Sequence, residues 1–342
     1  MYINPIVLGA GIIGSSVVYH LSKLGYTSIR WFEHTSMGWF STSKSAGLIL
    51  HGKNRTSTQY QMVSKTIQTI QSLETKLEED LGFVQCGSNV HSSDCYIDPI
   101  VLLGAYTRAS NYEYLHTRVN NLVMDNGGFN SRVNGVIADG KEYIGDVIDC
   151  TGSWLCELAI KNGIMKTKPY IPVRSHYFLV QYNQLQSPIP TPIYLMNGIY
   201  VRELNKGNYI VGIQEKRSHY VKHTADIMNI VKTDDWEDIL IEQYETIRGI
   251  FPIMDRFCVV DYIAGYSNYT ADGHYLIGKI CDGFYCVGGD CGAGISSCGG
   301  IGEMVATQKF MECLNPLRFQ NISEEDIIEC ALRIRSNKLS LS

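Results

Sequence analysis

The sequence lacks the long apolar runs and the cysteine pairs that mark several common classes of protein. No apolar run approaches about 18 residues, so we expect no membrane span. The eleven cysteines include no Cys-x-x-Cys pair, which disfavours both a metal site and a secreted disulfide framework. Reduced thiols in a cytoplasmic protein are the simpler interpretation, and we expect no bound metal ion.

The chain also has few charged residues, and acids and bases are nearly balanced. Charged residues make up 18% of the chain, the net charge is −5, and like charges form no long runs. This argues against a nucleic-acid or membrane-surface partner. Residues 1–4 lead directly into an apolar strand, which we interpret as the absence of a signal segment. A length of 342 residues with 45% hydrophobic content predicts two globular domains.

The N-terminal residues are the most informative part of the sequence. A short apolar run is followed by Gly9-Ala10-Gly11-Ile12-Ile13-Gly14, an amphipathic stretch and a second apolar run that ends at Glu33. Strand, Gly-x-Gly-x-x-Gly turn, helix, strand and acid form the dinucleotide-binding fingerprint. Gly9 permits the tight turn, Gly11 lets a pyrophosphate approach the backbone and Gly14 lets the helix pack closely. Glu33 is predicted to accept the ribose hydroxyls.

The pattern of apolar residues and turns in the rest of the chain predicts further helices and strands. Helical periodicity covers about residues 57–79, and Asp98-Pro99 is typical of a helix cap followed by its first residue. Strand patterns with glycine turns run over 114–140, and strands dominate again at 173–180 and 199–212. Glycine turns suited to a nucleotide occur at both ends of the chain, so we expect a discontinuous nucleotide domain around an inserted antiparallel sheet.

Four further segments accompany the fingerprint, and they are residues 43–48, 149–154, 270–278 and 288–302. Together they resemble the D-amino-acid oxidase superfamily of FAD-dependent oxidoreductases. Within it the resemblance is closest to the branch of sarcosine and dimethylglycine dehydrogenases and glycine oxidases. It extends to about Phe319. The resemblance implies FAD as cofactor and oxidation of a C–N bond as the reaction.

The resemblance also implies the fold. We expect an α/β protein with a Rossmann-like FAD-binding domain of the glutathione-reductase type and an inserted α+β substrate domain with an antiparallel sheet. The predicted boundaries are 1–83, 98–172 and 260–322 for the FAD-binding domain, 84–97 and 173–259 for the substrate domain, and 323–342 for a C-terminal helix and tail.

The C-terminal glycine-rich stretch is predicted to approach the isoalloxazine ring closely. The helix from Ile295 onward can direct N–H groups at the flavin N1–C2=O region, where a partial positive charge stabilises the anionic reduced flavin. The cofactor contacts implied by the fingerprint and the resemblance are Gly9, Gly11, Ile12, Ile13, Gly14, Glu33, His34, Ser41, Thr42, Ser43, Lys44, Ala46, Gly47, Leu48, Val119, Thr151, Gly152, Trp154, Gly289, Gly292, Ala293, Gly294, Ile295 and Ser296.

The sequence departs from its relatives where they attach FAD covalently. Relatives use a histidine at the position of Lys44 or a cysteine at the position of Gly265, so we expect non-covalent FAD. Sarcosine oxidases also carry an oxygen-activating lysine on a strand that matches residues 208–212, which contain none. Because a cation stabilises developing superoxide, its absence favours a dehydrogenase over an oxidase. Lys44 could supply this charge from the other segment.

The carboxylate-binding cations of the relatives are missing as well. Residues 266–268 replace the arginine of glycine and D-amino-acid oxidases, and Ser296 replaces a lysine of sarcosine oxidases. Bidentate carboxylate binding favours arginine, and the remaining candidates are Arg174, Arg202 and Arg55. Strand alternation puts Arg202 on the same face as Tyr200. Without such a clamp, the substrate is an amine that lacks an α-carboxylate.

The predicted reaction passes hydride from a small secondary or tertiary amine, sarcosine-like or dimethylglycine-like, to flavin N5. The resulting imine then hydrolyses. Candidate catalytic residues are Lys44, Tyr200, Arg202, His176 and His274. Two alternatives stay open, namely a glycine or D-amino-acid oxidase that releases hydrogen peroxide and a flavin-binding accessory subunit of an electron-transfer complex. A reductase that uses only NAD is disfavoured by the second glycine cluster. The sequence identifies neither the electron acceptor nor the oligomeric state.

Overall fold

The computed structural model describes residues 1–51, 56–125, 132–183, 186–196, 198–213, 219–222, 224–227 and 236–340. Its helices are α1 (Ile12–Lys23), α2 (Ser57–Leu77), α3 (Pro99–Arg108), α4 (Glu157–Lys161), α5 (Trp236–Glu242), α6 (Tyr244–Ile250), α7 (Gly294–Thr307) and α8 (Glu324–Ser340). Its strands are β1 (Ile6–Leu8), β2 (Arg30–Glu33), β3 (Leu48–Ile49), β4 (Val84–Gln85), β5 (Cys95–Tyr96), β6 (Glu113–His116), β7 (Val119–Met124), β8 (Val133–Ala138), β9 (Lys141–Ile144), β10 (Val147–Asp149), β11 (Tyr170–Tyr182), β12 (Ile193–Met196), β13 (Ile199–Asn205), β14 (Asn208–Ile213), β15 (Phe257–Thr270), β16 (Leu276–Cys281) and β17 (Phe284–Gly288).

A six-stranded sheet forms the first layer, in the order β16-β17-β10-β1-β2-β6. Its strands are parallel except β16, which pairs antiparallel with β17. The central strands β1 and β10 are completely buried, as expected when helices cover both faces of a parallel sheet. Strands from the beginning, middle and end of the described chain build this sheet.

A second, five-stranded sheet is antiparallel and has the order β12-β13-β14-β11-β15. It contains the strands that the sequence predicts at 173–180 and 199–212. The predicted boundaries at 172/173 and 259/260 lie inside β11 and β15, because both strands are longer than the sequence pattern indicates. The domain limits therefore stay a prediction. Two smaller three-stranded sheets, β3-β5-β4 and β7-β8-β9, complete the described strands.

Two predicted helix starts are confirmed by their caps. Asp98 Oδ1 accepts hydrogen bonds from the N–H groups of Ile100 (2.8 Å) and Val101 (3.2 Å), and Pro99 is the first residue of α3. The predicted helix over 57–79 is α2, which begins after a capping box between Thr56 and Gln59.

The parallel layer with a separate antiparallel sheet confirms the predicted fold class. Among the described residues, no helix combines the length and the apolar character needed to cross a bilayer.

Candidate functional site

A cavity of about 1390 Å³ opens where the carboxyl ends of the parallel strands approach the antiparallel sheet. Leu8, Phe32 and Asp149, near the ends of β1, β2 and β10, lie along one side of it. Open α/β sheets bind ligands at this edge. The volume exceeds the roughly 300–1,000 Å³ of ordinary small-molecule pockets, so the cavity has room for a ligand larger than a typical small molecule.

The cavity has three parts. Its nucleotide end comprises Gly9, Gly11, Glu33 and Val119; its middle comprises Lys44, Ala46, Gly292 and Ser296; its substrate end comprises Leu50, Tyr177, Leu195 and Tyr200.

The glycine turn lies between β1 and α1 at the nucleotide end. Gly9 has φ +92°, a conformation that favours glycine, and a Cβ atom there would stand 2.6 Å from the carbonyl oxygen of Cys150. Gly11 lines the cavity, and Gly14 packs directly against the carbonyl oxygen of Gly9. The first amide of α1, on Ile12, donates to Thr42 Oγ1 at 3.0 Å. The turn therefore exposes its backbone to the cavity, and the hydrogen bond to Thr42 joins the first turn of α1 to residues 41–44.

Glu33 ends β2 and is oriented by three hydrogen bonds. Its Oε2 accepts from the N–H of Ala10 at 3.0 Å, and its Oε1 accepts from the N–H and the hydroxyl of Thr35 at 2.8 and 2.7 Å. His34 Nδ1 lies 3.4 Å from Oε1. Oε1 already accepts two hydrogen bonds, whereas Oε2 accepts one and can accept a second from a ligand in the cavity.

The middle of the cavity is formed by the residues before α7. Asp290 Oδ2 accepts the N–H of Gly294 at 3.0 Å and so caps the first turn. A Cβ atom at Gly292 would lie 3.1 Å from the hydroxyl oxygen of Tyr269, and Gly292 itself lines the cavity. Ser296 Oγ donates to the carbonyl of Leu48 at 3.1 Å. The backbone of this stretch thus meets the cavity without intervening side chains.

Lys44 and Gly265 are neighbours in space in the middle of the cavity. A Cβ atom at Gly265 would lie 2.8 Å from Lys44 Cβ, and both residues line the cavity. Lys44 therefore contributes a lysine side chain to the wall of the middle of the cavity.

The substrate end is aromatic and aliphatic. Tyr177 on β11 and Tyr200 on β13 are both paired with Gly212 on the strand between them, and the Tyr200 ring lies over that glycine. Burial raises the pKa of both phenols, with the charge of Arg202 acting in the opposite direction. Both tyrosines are therefore protonated hydrogen-bond donors at neutral pH.

The cavity brings together most of the residues singled out in the sequence. All predicted cofactor contacts line it except Gly14, Ser43, Gly47 and Gly289. Ser43 points away, because its hydroxyl donates to the carbonyl of Trp39 at 2.8 Å. Gly47 packs on the carbonyl of Ile97, and Gly289 packs on the side chain of Leu276.

The predicted catalytic residues divide into two groups. Lys44, His176 and Tyr200 line the cavity, whereas Arg202 and His274 do not. The backbone of His274 is held in a turn by Asp272 Oδ1, which accepts its N–H at 3.0 Å, and by the Thr270 hydroxyl, which donates to its carbonyl. Among the other carboxylate candidates, Arg174 is fully buried outside the lining, and Arg55 lies outside the described residues.

Sequence reasoning missed a charged group at the nucleotide end. Lys168 Nζ lies 3.1 Å from Glu157 Oε1, and the Thr224 hydroxyl also donates to that oxygen.

Asp149 is a second acid that sequence reasoning did not single out. It is fully buried, and burial raises its pKa to about 6, while hydrogen bonds from Thr151 and Cys156 act in the opposite direction. Like Glu33, Asp149 is an acid at the end of an apolar strand, and this shared signal could have identified it.

A histidine cluster lies outside the cavity lining. One ligand-type atom from each of His51, His91 and Asp94 lies within 4.8 Å of the others. Hydrogen bonds account for much of this arrangement: Asp94 accepts the N–H of His51 (2.7 Å) and the hydroxyl of Ser88 (2.7 Å), and His91 Nδ1 accepts the N–H of Ser93 (3.1 Å). These contacts organise the loop before β5. The expectation of no metal ion stays a prediction.

Comparison with known proteins identifies curated relatives of this chain. It is 22% identical over 364 residues to the mitochondrial pyruvate dehydrogenase phosphatase regulatory subunit of Mus musculus, covering 88% of this chain and 40% of that protein. It is 31% identical over 87 residues to 4-methylaminobutanoate oxidase (formaldehyde-forming) of Paenarthrobacter nicotinovorans, covering 25% and 10% respectively. The chain thus spans two fifths or less of the length of these relatives.

Among solved structures, L-proline dehydrogenase from P. horikoshii is similar in fold, with a TM-score of 0.76, 18% identity, and coverage of 92% of this chain and 97% of that one. The sequence also matches the family described as FAD dependent oxidoreductase over residues 6–99 and 89–308, which is most of its length. The glycine turn, the cavity and this match agree, and the chain belongs to the FAD dependent oxidoreductase family, whose cofactor is FAD.

Proposed function

We propose that this chain binds FAD non-covalently and oxidises a C–N bond of a small secondary or tertiary amine or amino acid. The observation that carries the proposal is that one cavity joins the glycine turn and Glu33 to the tyrosines of the substrate end. The exposed backbone of 292–294 lies between them. A long dinucleotide with its reactive ring at the far end suits such a cavity, with space left for an amine.

The nucleotide end fits the pyrophosphate and ribose of FAD. Gly11 has no side chain to fill the cradle in front of Thr42, so a phosphate can approach the backbone there. Glu33 is held in place by Ala10 and Thr35 and retains acceptor capacity for ribose hydroxyls. These residues would hold the nucleotide without a covalent bond.

The contact between Lys44 and Gly265 supports non-covalent binding. These are the positions at which the resemblance would attach FAD, and neither carries a histidine or a cysteine. A Cβ atom at residue 265 would lie 2.8 Å from Lys44 Cβ, closer than two carbon atoms approach without displacement. A cysteine at 265 therefore requires Lys44 to move.

The substrate end determines what the chain itself contributes to the reaction. When bound, FAD supplies the acceptor for the hydride equivalent. The side chains of Leu48, Leu50 and Leu195 line the cavity and exclude water, which favours the neutral form of an amine. The hydroxyls of Tyr177 and Tyr200 remain protonated and can orient the substrate. No general base is required once the amine has lost its proton.

The preferred substrate class is an N-methyl amine or N-methyl amino acid. The 31% identity with 4-methylaminobutanoate oxidase supports this class, since that enzyme is named for an N-methyl substrate. Sarcosine and dimethylglycine, which the sequence resemblance suggests, carry the same N-methyl group.

The visible spectrum of the purified protein, before and after acid precipitation, tests both parts of the proposal. We expect a yellow supernatant, because dissociable FAD is released when the protein precipitates. Anaerobic addition of sarcosine, dimethylglycine, 4-methylaminobutanoate or proline should bleach the flavin with at least one of them. A yellow pellet overturns non-covalent binding, and a colourless protein overturns the proposal as a whole.

A second candidate is an accessory flavoprotein subunit without turnover of its own. It is favoured by the match of 88% of this chain to a protein named as a regulatory subunit. A yellow protein that no amine bleaches, purified with a stable partner, would select this candidate. Bleaching by an amine at a rate that supports turnover would reject it.

A further inference from the structure

Arg335 occupies a position on the apolar face of α8. Ala331 belongs to a buried cluster with Tyr269, and Ile328 and Leu332 pack against that cluster. Residues at i, i+3, i+4 and i+7 share one face of a helix, so Arg335 is the next member of this stripe. It is accordingly buried, with only 4% of its surface exposed. Burial of a charged side chain is costly, which suggests that its charge has a role.

The guanidinium of Arg335 lies over an aromatic ring. Its Cζ is 5.8 Å from the centroid of the Tyr269 ring, which is within the range of a cation–π interaction. Nε and Nη1 are buried and have no hydrogen-bond partner among the described residues. Because arginine stays protonated in proteins, α8 carries a permanent positive charge into the interior at this point.

Tyr269 connects this charge with the cavity. It is on β15 and lines the cavity together with Gly292, and a Cβ atom at Gly292 would lie 3.1 Å from the hydroxyl oxygen of Tyr269. Burial raises the pKa of this phenol to about 12, while the charge of Arg335 acts in the opposite direction. The phenol is therefore protonated at neutral pH, and the charge of Arg335 is felt at its hydroxyl.

A carboxylate acts on the same phenol, but less strongly. Asp290 raises the pKa of Tyr269 by a smaller amount than Arg335 lowers it. Asp290 Oδ2 accepts the N–H of Gly294 at 3.0 Å, and Oδ1 accepts the N–H of Asn268 at 3.4 Å. Of this arginine and this carboxylate, the arginine thus has the larger effect, and their balance favours a negative charge in the adjoining part of the cavity.

The adjoining part of the cavity is the stretch around Gly292, at which the flavin ring of the family's cofactor is expected. Acceptance of a hydride gives a neutral flavin ring a negative charge, so a nearby cation favours the reduced state. We propose that Arg335, held behind Tyr269 by α8, is a positioning residue that raises the reduction potential of bound FAD. This inference goes beyond the proposed function, because it concerns the cofactor whatever donor reduces it.

Coulomb's law gives the size of the effect. Two unit charges roughly 10 Å apart, at an effective dielectric constant of about 20, interact strongly enough to change an equilibrium about tenfold. Ile171 and Val173 are buried in the same cluster as Tyr269, so little water is present to screen the charge of Arg335. A tenfold change in a two-electron equilibrium corresponds to about 30 mV.

The test is the midpoint potential of bound FAD, measured by titration with dithionite in the presence of a reference dye. Arg335→Met keeps an unbranched side chain over Tyr269 and removes the charge. At a fixed potential, the ratio of reduced to oxidised FAD should fall about tenfold, which lowers the midpoint potential by about 30 mV. Arg335→Lys keeps the charge and should keep most of the potential. The matched control is Arg333→Met, which removes an exposed arginine paired with Glu329 on the same helix and should leave the potential unchanged.

Binding of FAD provides a second readout. Binding and reduction form a closed thermodynamic cycle, so Arg335→Met should weaken the binding of reduced FAD about tenfold relative to oxidised FAD. The Kd of the apoprotein for oxidised FAD, whose ring is neutral, should stay within about twofold. Exchange of a buried charge for an apolar side chain is often neutral or stabilising, so the melting temperature of the apoprotein should not fall. A purely structural role would instead weaken the binding of both forms alike and lower this melting temperature.

An unchanged midpoint potential in Arg335→Met would overturn the inference, and so would an equal fall in Arg333→Met. If Arg335→Met does not fold, Arg335→Gln and Arg335→Lys make the same comparison of a neutral with a charged side chain. None of these measurements uses an amine. A lowered potential in a protein that oxidises no amine leaves this inference standing while the proposed function fails, and amine oxidation with an unchanged potential gives the reverse result.

Discussion

The phenol ring of Tyr200 occupies the space that a side chain on Gly212 would need. The two residues are paired across β13 and β14, and a Cβ atom at Gly212 would collide with Cζ of the ring. The glycine therefore determines where the Tyr200 hydroxyl lies in the cavity. Gly212 has no functional group of its own, yet its lack of a side chain sets the position of Tyr200 at the substrate end.

Gly212→Ala should displace the Tyr200 ring. We expect a loss of about 1–3 kcal/mol in the free energy of unfolding, as for an overpacked core, together with a higher KM for amine substrates. Urea unfolding and anaerobic flavin reduction measure the two effects. Gly249→Ala is the control, because no atom lies within 4 Å of its Cβ position on α6. In Tyr200→Ala the same Gly212→Ala change should cost much less, and equal costs in both backgrounds would refute the contact.

Gly11→Ala should weaken FAD binding without unfolding the protein. Gly11 has φ −81°, which alanine adopts freely, but it lines the cavity in front of Thr42. We expect the Kd for FAD to rise at least tenfold, while the stability of the apoprotein changes by no more than about 0.5 kcal/mol. Isothermal titration with FAD and urea unfolding of the apoprotein supply the two numbers.

Gly9→Ala provides the contrast to Gly11→Ala. With φ +92° and the carbonyl of Cys150 2.6 Å from its Cβ position, alanine is strained at residue 9, so the apoprotein itself should lose about 1–3 kcal/mol. If the two variants lose stability equally, the different roles assigned to the two glycines are wrong.

The contribution of Asp149 to the free energy of unfolding should fall as the pH rises from about 4 to about 6. Burial raises its folded-state pKa from 3.8 to about 6, so in this window the folded protein holds a proton that the unfolded chain has released. The contribution of Asp149 therefore decreases by up to ~3 kcal/mol as pH rises through the window and is constant above it. The stability difference between the unmodified protein and Asp149→Asn, measured by urea unfolding at pH 4, 5, 6 and 7, should show this trend. A difference independent of pH would contradict it.

The reduced flavin should pass its electrons to a dye acceptor faster than to oxygen. The strand at 208–212 carries no lysine, and Lys44 is the lysine that lines the middle of the cavity. A cation near the ring stabilises developing superoxide, so Lys44→Met should slow reoxidation by oxygen further and leave anaerobic reduction by amines largely unchanged. Stopped-flow reoxidation under oxygen and under a dye measures both rates. Near-stoichiometric hydrogen peroxide with the unmodified protein would instead favour the oxidase alternative.

Most of the nucleotide end could be predicted, because its signals are local in the chain. The turn from Gly9 to Gly14 and the acid at Glu33 each depend on residues a short distance apart, and both appear where the sequence indicates. Asp149 carried a comparable local signal that was not used. Lys168 and Glu157 could not be connected with this end from the sequence, because their ion pair and the hydroxyl of Thr224 come together only after folding.

The substrate end was predicted least well, because its geometry depends on strand pairing. Alternation along β13 put Tyr200 and Arg202 on one face, and the structure agrees. Alternation does not specify whether a side chain on that face reaches the cavity. Tyr200 lines the cavity and Arg202 does not. His274 lies in the segment 270–278 that resembles the family, yet Asp272 and Thr270 hold it in a turn outside the cavity.

Short-range patterns of glycine, apolar and acidic residues were enough to predict the family, the dinucleotide fingerprint and the α/β class. The tertiary structure decided which cations face the cavity and which lie behind its wall. Lys44 contacts Gly265, 221 positions away in the chain, and Arg202 stacks on Tyr96 from another sheet. Such contacts arise from the register and packing of sheets, which no local pattern encodes.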